Sequence, residues 1–314
     1  MNKAELVFKA IDVFGEAPQN AVHFKNIVCV KNIAYADKTP ALCVGDLYCR
    51  RDTLSDGKKH PVLLYIHGGG FIKGDKDYRV TNSEFFAHHG YFVFNIDYRM
   101  PPDISLIENY RDVIDAFNYL GTLAETYPID LNKIVVSGDS SGAYQAAMLA
   151  ACTYDDELRN VFGLQRILYR PAVLALMCGI YDLEKLISGP AIFGIVPETV
   201  SMILGFKVDR DMKNAYEYEY INFISPVRLV NGDWCPVFLA WSKEDIMCVD
   251  QGPLMAERFD AQKVPYAYFE AEGLLNNHCF HLHLSTSAAR KCMEACVAYL
   301  NGIVDEDTAG AVTE

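Results

Sequence analysis

The 314-residue sequence predicts an α/β fold, a mostly parallel sheet of eight strands with helices on both faces. Three observations predict it. Short apolar runs alternate with segments of helical periodicity, two of those runs end in glycine-rich loops, and no low-complexity linker divides the chain. A chain of this length with 51% hydrophobic residues can bury a large core, so residues 1–314 are expected to form a single domain.

Taken in order, residues 3–14 carry Leu6, Val7, Ala10, Ile11, Val13 and Phe14 at the spacing of an amphipathic helix. Strands are expected at about 23–31, 42–50, 62–67, 91–97, 133–138, 172–178, 236–241 and 264–270. Between them, residues 106–117 and 143–151 repeat apolar positions with helical period. An unusually long insertion, 183–222, separates the sixth and seventh strands, and connections of that length usually have a role. Within it Tyr216-Glu217-Tyr218-Glu219-Tyr220 alternates aromatic and acid, as a sugar-facing wall or a strand edge of alternating burial would. Residues 304–314 are polar enough to fray.

Two motifs carry the chemistry. Gly138-Asp139-Ser140-Ser141-Gly142 follows a β-branched run and precedes a helix-forming one, the strand–turn–helix context of an exposed nucleophile. The sharp turn strains Ser140 and requires small residues two places before and after it. Seventy residues earlier, His67-Gly68-Gly69-Gly70-Phe71 ends the third strand, and bare glycine backbone can approach a reacting carbonyl oxygen. The N–H groups of Gly68, Gly69 and Ser141 are the expected oxyanion donors. His67 is expected to orient the glycine loop. A nucleophilic serine needs a base and an orienting carboxylate, in the order Ser, Asp or Glu, His. Asp245 follows the strand at 236–241 and is the expected acid, with Glu244 and Asp250 as rivals; His278 follows the strand at 264–270 and is the expected base. His281 and His283 compete with it, but are expected to begin the last helix. His278, Cys279, His281 and His283 also suggest a metal site, which the lack of a second ligand group argues against. No metal or organic cofactor is expected.

These residues resemble the α/β-hydrolases of the hormone-sensitive-lipase-like esterase group, over about residues 40–300. His67 to Phe71 resembles that group's oxyanion signature, Gly138 to Gly142 its nucleophile elbow, and Asp97-Tyr98-Arg99-Met100-Pro101-Pro102 the segment after its fourth strand. The resemblance places Asp245 at the acid position and His278-Cys279-Phe280 at the group's His-Gly-Phe. Ser141 stands where alanine is common and Cys279 where glycine is. The resemblance also implies a helical cap formed by about 1–22 and 183–222, with Phe71, Phe193, Ile195, Met202, Ile203 and Phe206 against the acyl or alcohol pocket; the other reading of the cap side chains is that they pack cap to core. It allows a homodimer.

Composition narrows the partners. Net charge is −13, from 28 basic and 41 acidic side chains, which argues against nucleic acid and against an anionic membrane surface. No stretch has membrane-spanning length and no signal-peptide pattern opens the chain, so a cytoplasmic location is expected. The ten cysteines have no framework spacing and are expected to be buried free thiols; Cys292 and Cys296, one helical turn apart, are badly placed for a bridge. The expected function is a serine carboxylesterase acting on small, short-acyl esters, its only required partner a small-molecule ester. Deacetylation of carbohydrates and amide or formamide hydrolysis use the same triad. A non-catalytic ligand-binding protein, as the similar plant gibberellin receptors are, is the rival from another class; those have lost the base, which is present here.

Overall fold

The computed structural model describes residues 3, 4, 6, 7, 9, 17–37, 39, 41–188 and 195–306. Its strands are β1 (Ile27–Ala34), β2 (Val44–Arg50), β3 (His60–Ile66), β4 (Phe92–Ile96), β5 (Ile129–Asp139), β6 (Val173–Met177), β7 (Val237–Ser242) and β8 (Tyr266–Ala271). They form one eight-stranded sheet in the order β1-β2-β4-β3-β5-β6-β7-β8. β2 runs antiparallel to β1 and β4, and the other neighbours are parallel. The α-helices from residue 80 onward are α1 (Val80–His88), α2 (Leu106–Thr126), α3 (Ser141–Tyr154), α4 (Asp156–Val161), α5 (Leu183–Ser188), α6 (Val196–Leu204), α7 (Pro226–Leu229), α8 (Gln251–Gln262) and α9 (Ser287–Glu306).

Eight strands stand where eight are expected, but two boundaries move for identifiable reasons. β1 begins at Ile27 and runs past residue 31, where Asn32 takes φ 57° and gives its N–H to Asp46 Oδ1 at 2.8 Å. The resulting bulge between Val30 and Ile33 lets the strand run on to Ala34. β5 starts four residues early, where Ile129 and Asp130 pair with His60 and Pro61 before the register shifts.

Alternate residues of the parallel strands feed two cores, one on each face of the sheet. Val62, Leu64 and Ile66 pack with Phe117 of α2, Ala147 of α3 and Phe259 of α8. Leu63 and Tyr65 belong to the other core, with Phe86 of α1 and Met293 and Leu300 of α9. Full burial of each such side chain contributes about 1.5–3 kcal/mol, so both faces hold the sheet. α2 begins with a capping box: Glu108 N–H donates to Ser105 Oγ at 3.2 Å and Ser105 N–H to Glu108 Oε2 at 3.0 Å. All ten cysteines are free, and nine of them are buried, Cys29 being half-buried.

Several expectations for the segments outside the sheet change. Among residues 3–14, Ala4 is buried and gives its N–H to Glu198 Oε2 of α6 at 3.0 Å, whereas Leu6 is 51% exposed. Ala10, Ile11, Val13 and Phe14 lie outside the described residues. Tyr216 to Tyr220 form neither a strand edge nor a cavity wall. They sit in and after a 3-10 turn, Lys213–Glu217, with the Tyr218 ring centroid 6.5 Å from Phe206 and 5.7 Å from Tyr220. At the other end α9 carries residues 304–306 in helix; 307–314 lie outside the described residues. Among the described residues no helix is long and apolar enough to cross a membrane.

Candidate active site

The loops after β3, β5, β7 and β8 leave the same edge of the sheet, the C-terminal strand ends where open α/β sheets bind ligands. Ser140 occupies the one-residue turn between β5 and α3, at φ 53° and ψ −122°. Its own N–H donates to Met177 O at 2.9 Å, which ties the turn to the end of β6. Side chains at the flanking glycines are sterically barred. A Cβ on Gly138 would stand 2.4 Å from the Gly142 carbonyl, and one on Gly142 only 2.0 Å from Ile66 O. The strain is thus held by packing against the end of β3.

His278 Nε2 lies 2.9 Å from Ser140 Oγ, and His278 Nδ1 lies 2.8 Å from Asp245 Oδ2. Asp245 is buried, and its other oxygen accepts the N–H groups of Met247 and Cys248, each at 2.8 Å. The carboxylate is therefore fixed before it meets the imidazole. Burial works against its charge, but His278 and the two backbone donors outweigh that and hold its pKa below the ordinary value. For His278 the same balance moves the pKa upward. Burial opposes the imidazolium, while Cys279, Cys248 and the charge and hydrogen bond of Asp245 raise its pKa well above the usual histidine value. The rivals stand elsewhere: Glu244 accepts from Gly273 N–H at 3.0 Å, and Asp250 is an exposed partner of Lys185 at 3.2 Å.

The expectation that His281 and His283 open the last helix is corrected. His281 lies in a 3-10 turn, Phe280–Leu282, and α9 starts only at Ser287. His281 is fully buried, which pushes its pKa down to about 3 and keeps it neutral. Its Nδ1 lies 3.8 Å from Cys178 Sγ.

The glycine loop also differs from expectation in one donor. Gly68 gives its N–H to Asp139 Oδ2 at 3.2 Å, so that group is already engaged. The N–H groups of Gly69 and Gly70 have no acceptor among the described residues, and both glycines line the cavity beside Ser140. Gly69 has φ 148°, and a Cβ there would fall 1.6 Å from Lys73 O. His67 does what was expected of it: buried, with Nδ1 2.8 Å from Gly68 O, it stacks on Tyr98 at 4.6 Å. Tyr98 in turn donates to His67 O at 2.6 Å.

Sequence reasoning missed the ion pair beneath this loop. Arg79 grips Asp139 with two parallel bonds, Nε to Oδ1 at 2.7 Å and Nη2 to Oδ2 at 2.6 Å, both side chains being buried. Burial alone would raise the Asp139 pKa, but Arg79 beside it holds it below the ordinary value. Arg79 Nη1 reaches Gln19 Oε1 at 3.1 Å, so the N-terminal segment is bonded to the site as well.

Ser140 opens into a cavity of about 470 Å³, within the range of small-molecule pockets. Phe71 and Ile195 line it, as expected, with Ile180, Leu186, Val196 and Thr199. Met202, Ile203 and Phe206 do not. Met202 lies two turns along α6 from Ile195, beyond the N-terminal end that meets the cavity, and packs in the core, as Ile203 does. Phe206 stacks on Tyr218, and Phe193 lies outside the described residues.

Sheet order and nucleophile turn together define the α/β-hydrolase fold, and Ser140, His278 and Asp245 form a hydrogen-bonded series within it. Residues 46–259 match the BD-FAE family, and the chain belongs to that family. It is 27% identical over 265 residues to an acetyl esterase of Salmonella paratyphi B, covering 82% of this chain and 73% of the relative. It is also 34% identical over 131 residues to the non-reducing polyketide synthase prhL of Penicillium brasilianum, 38% of this chain. The chain spans only 5% of that synthase and 66% of the acetyl esterase of Salmonella paratyphi A. Among solved structures, esterase B of Lactobacillus rhamnosis superimposes with a TM-score of 0.86 at 18% identity, covering 99% of this chain and 97% of that one. A bacterial heroin esterase follows at TM-score 0.75 and 19% identity, covering 96% and 92%.

Proposed function

We propose that the protein is a serine carboxylesterase acting on small, short-acyl esters. One observation carries the reading: Asp245, His278 and Ser140 are joined at 2.8 and 2.9 Å, and the serine faces a largely apolar cavity. Ser140 attacks the ester carbonyl, and His278 takes its proton at Nε2. Asp245 holds the Nδ1–H tautomer and balances the imidazolium charge. Gly69, Gly70 and Ser141 supply the N–H groups for the oxyanion, Gly70 replacing the engaged Gly68. His278 returns the proton to the leaving alcohol, and water repeats the cycle on the acyl-enzyme.

Residues up to about 22 and 183–222 act as the cap, with Gln19, Leu186, Ile195, Val196 and Thr199 closing the cavity over the sheet. The Ala4–Glu198 bond joins the two cap segments. Acetyl esterases among the relatives support a short acyl group, and esterase B of Lactobacillus rhamnosis has been solved with a tributyrin phosphonate inhibitor. The free thiols fit a reducing compartment such as the cytoplasm.

The test is hydrolysis of p-nitrophenyl esters from acetate to decanoate by the native chain and by Ser140→Ala. Turnover should peak at the short esters and fall about 10⁶-fold in kcat in the variant. Equal turnover by both proteins would exclude Ser140 as nucleophile. Gly69→Ala is a second check. With its Cβ driven into the Lys73 carbonyl, the loop must shift, and kcat should fall at least about 10²-fold while KM changes little.

A further inference from the structure

We propose that Asp245, Cys248 and His278 form a binding site for a zinc-type divalent cation, and that its occupation switches the hydrolase off. The ligand atoms of these three residues all lie within 4.8 Å of one another. They offer one carboxylate oxygen, one thiol sulfur and one imidazole nitrogen, a set suited to Zn²⁺, Co²⁺ or Cd²⁺. Nothing here resembles the six to eight oxygens that Ca²⁺ requires.

The arrangement is built rather than incidental. Cys248 N–H is bonded to Asp245 Oδ1, so the backbone that fixes the carboxylate also fixes the thiol beside it. Cys248 is 7% exposed and that exposure faces the cavity, which gives an ion its route in and leaves a fourth coordination position for water. Proposed catalysis uses Asp245 and His278 but gives the Cys248 sulfur no task. The neighbouring thiol is not equivalent: Cys279 Sγ points to Asp139 Oδ2, at 3.9 Å.

Binding balances without a redox step. The ion takes the His278 Nδ1 lone pair, so in the neutral imidazole the proton moves from Nδ1 to Nε2. Cys248 loses its proton to solvent, and one thiolate plus one carboxylate neutralise the two charges of the cation. His278 then presents N–H to Ser140 and cannot accept its proton. The nucleophile remains in place with no base.

The inhibition half of this inference rests on the esterase reading above; the ligation half does not. Zinc chloride is titrated into the metal-free chain hydrolysing p-nitrophenyl acetate, each protein being compared with its own metal-free rate. Inhibition should be reversed by EDTA and absent with Mg²⁺ or Ca²⁺. Cys248→Ser and Cys248→Ala should each need at least about tenfold more zinc for half-inhibition, and Cys279→Gly should match the native chain. Independently of turnover, Co²⁺ added to Ser140→Ala should give a near-ultraviolet sulfur-to-metal band that disappears when Cys248→Ser is added. Unchanged zinc sensitivity in both Cys248 variants, or no such band, overturns the site. A chain that turns over no ester but shows the band keeps the site and removes only the proposed activity.

Discussion

Asp245→Asn is expected to lower kcat about 10⁴-fold while leaving the fold and KM nearly unchanged, the effect a wrong imidazole tautomer has in a serine triad. The asparagine side chain fits the same space and can keep accepting the Met247 and Cys248 N–H groups, which now hold Asp245 Oδ1 at 2.8 Å. Its amide would then offer N–H to His278 Nδ1. The imidazole proton is forced to Nε2, facing Ser140, where a base needs a lone pair. The same substitution should move the pH profile. In the native chain His278 must be neutral to act, so kcat/KM rises with pH through its pKa. That pKa stands above the ordinary value of about 6.5, since Asp245, Cys248 and Cys279 outweigh burial. Removing the Asp245 charge removes a raising contribution, so the limb should shift to lower pH in Asp245→Asn. A native profile flat from pH 5 to 8 would falsify His278 as the base.

Chemistry was legible in the sequence where it is written in consecutive residues. Three glycines after an apolar run, and a serine between two glycines at a strand–helix junction, each require their residue types locally, so both loops were identified with their strands. Asp245 and His278, the proposed acid and base, follow strands in the expected order, and the fold brings both into line with Ser140. The engagement of Gly68 was hidden for a physical reason: three adjacent N–H groups are indistinguishable in sequence, and only the fold shows that Asp139 occupies one of them. Arg79 was invisible because it ends Gly74-Asp75-Lys76-Asp77-Tyr78-Arg79, a charged stretch that has the composition of solvated surface. Its partner is 60 residues away, a separation that leaves no local signature. Cap side chains failed similarly, since a methionine facing the core and one facing a ligand have the same spacing on a helix. Ile195 and Met202 both sat in the right segment and on the same side of the helix, and only their places along α6 separate them: Ile195 stands at the end beside the cavity and Met202 two turns further on.

Arg79→Met is expected to destabilise the protein by about 3–5 kcal/mol, because it strands Asp139 as a buried carboxylate without its partner. Asp139 is completely buried, and its remaining bonds come from Gly68 N–H at 3.2 Å, Tyr65 Oη at 3.4 Å and the weak thiol donor of Cys279 at 3.9 Å. Those three neutral donors cannot replace a bidentate guanidinium. The carboxyl should respond by holding a proton at neutral pH, which weakens its grip on Gly68 and loosens the glycine loop. Activity should therefore fall together with stability, although Arg79 touches no reacting atom. Removing both charges separates these causes. In Arg79→Met/Asp139→Asn no buried charge remains and the amide oxygen can still accept from Gly68, so the double variant should be more stable than Arg79→Met alone. Urea unfolding of the four proteins measures the coupling directly. For the native pair the pH sign follows from the depressed Asp139 pKa: its stabilisation is present above the unfolded carboxylate pKa and is lost as pH falls through the folded one. An Arg79→Met protein within about 0.5 kcal/mol of native would mean that the pair is dispensable to the fold.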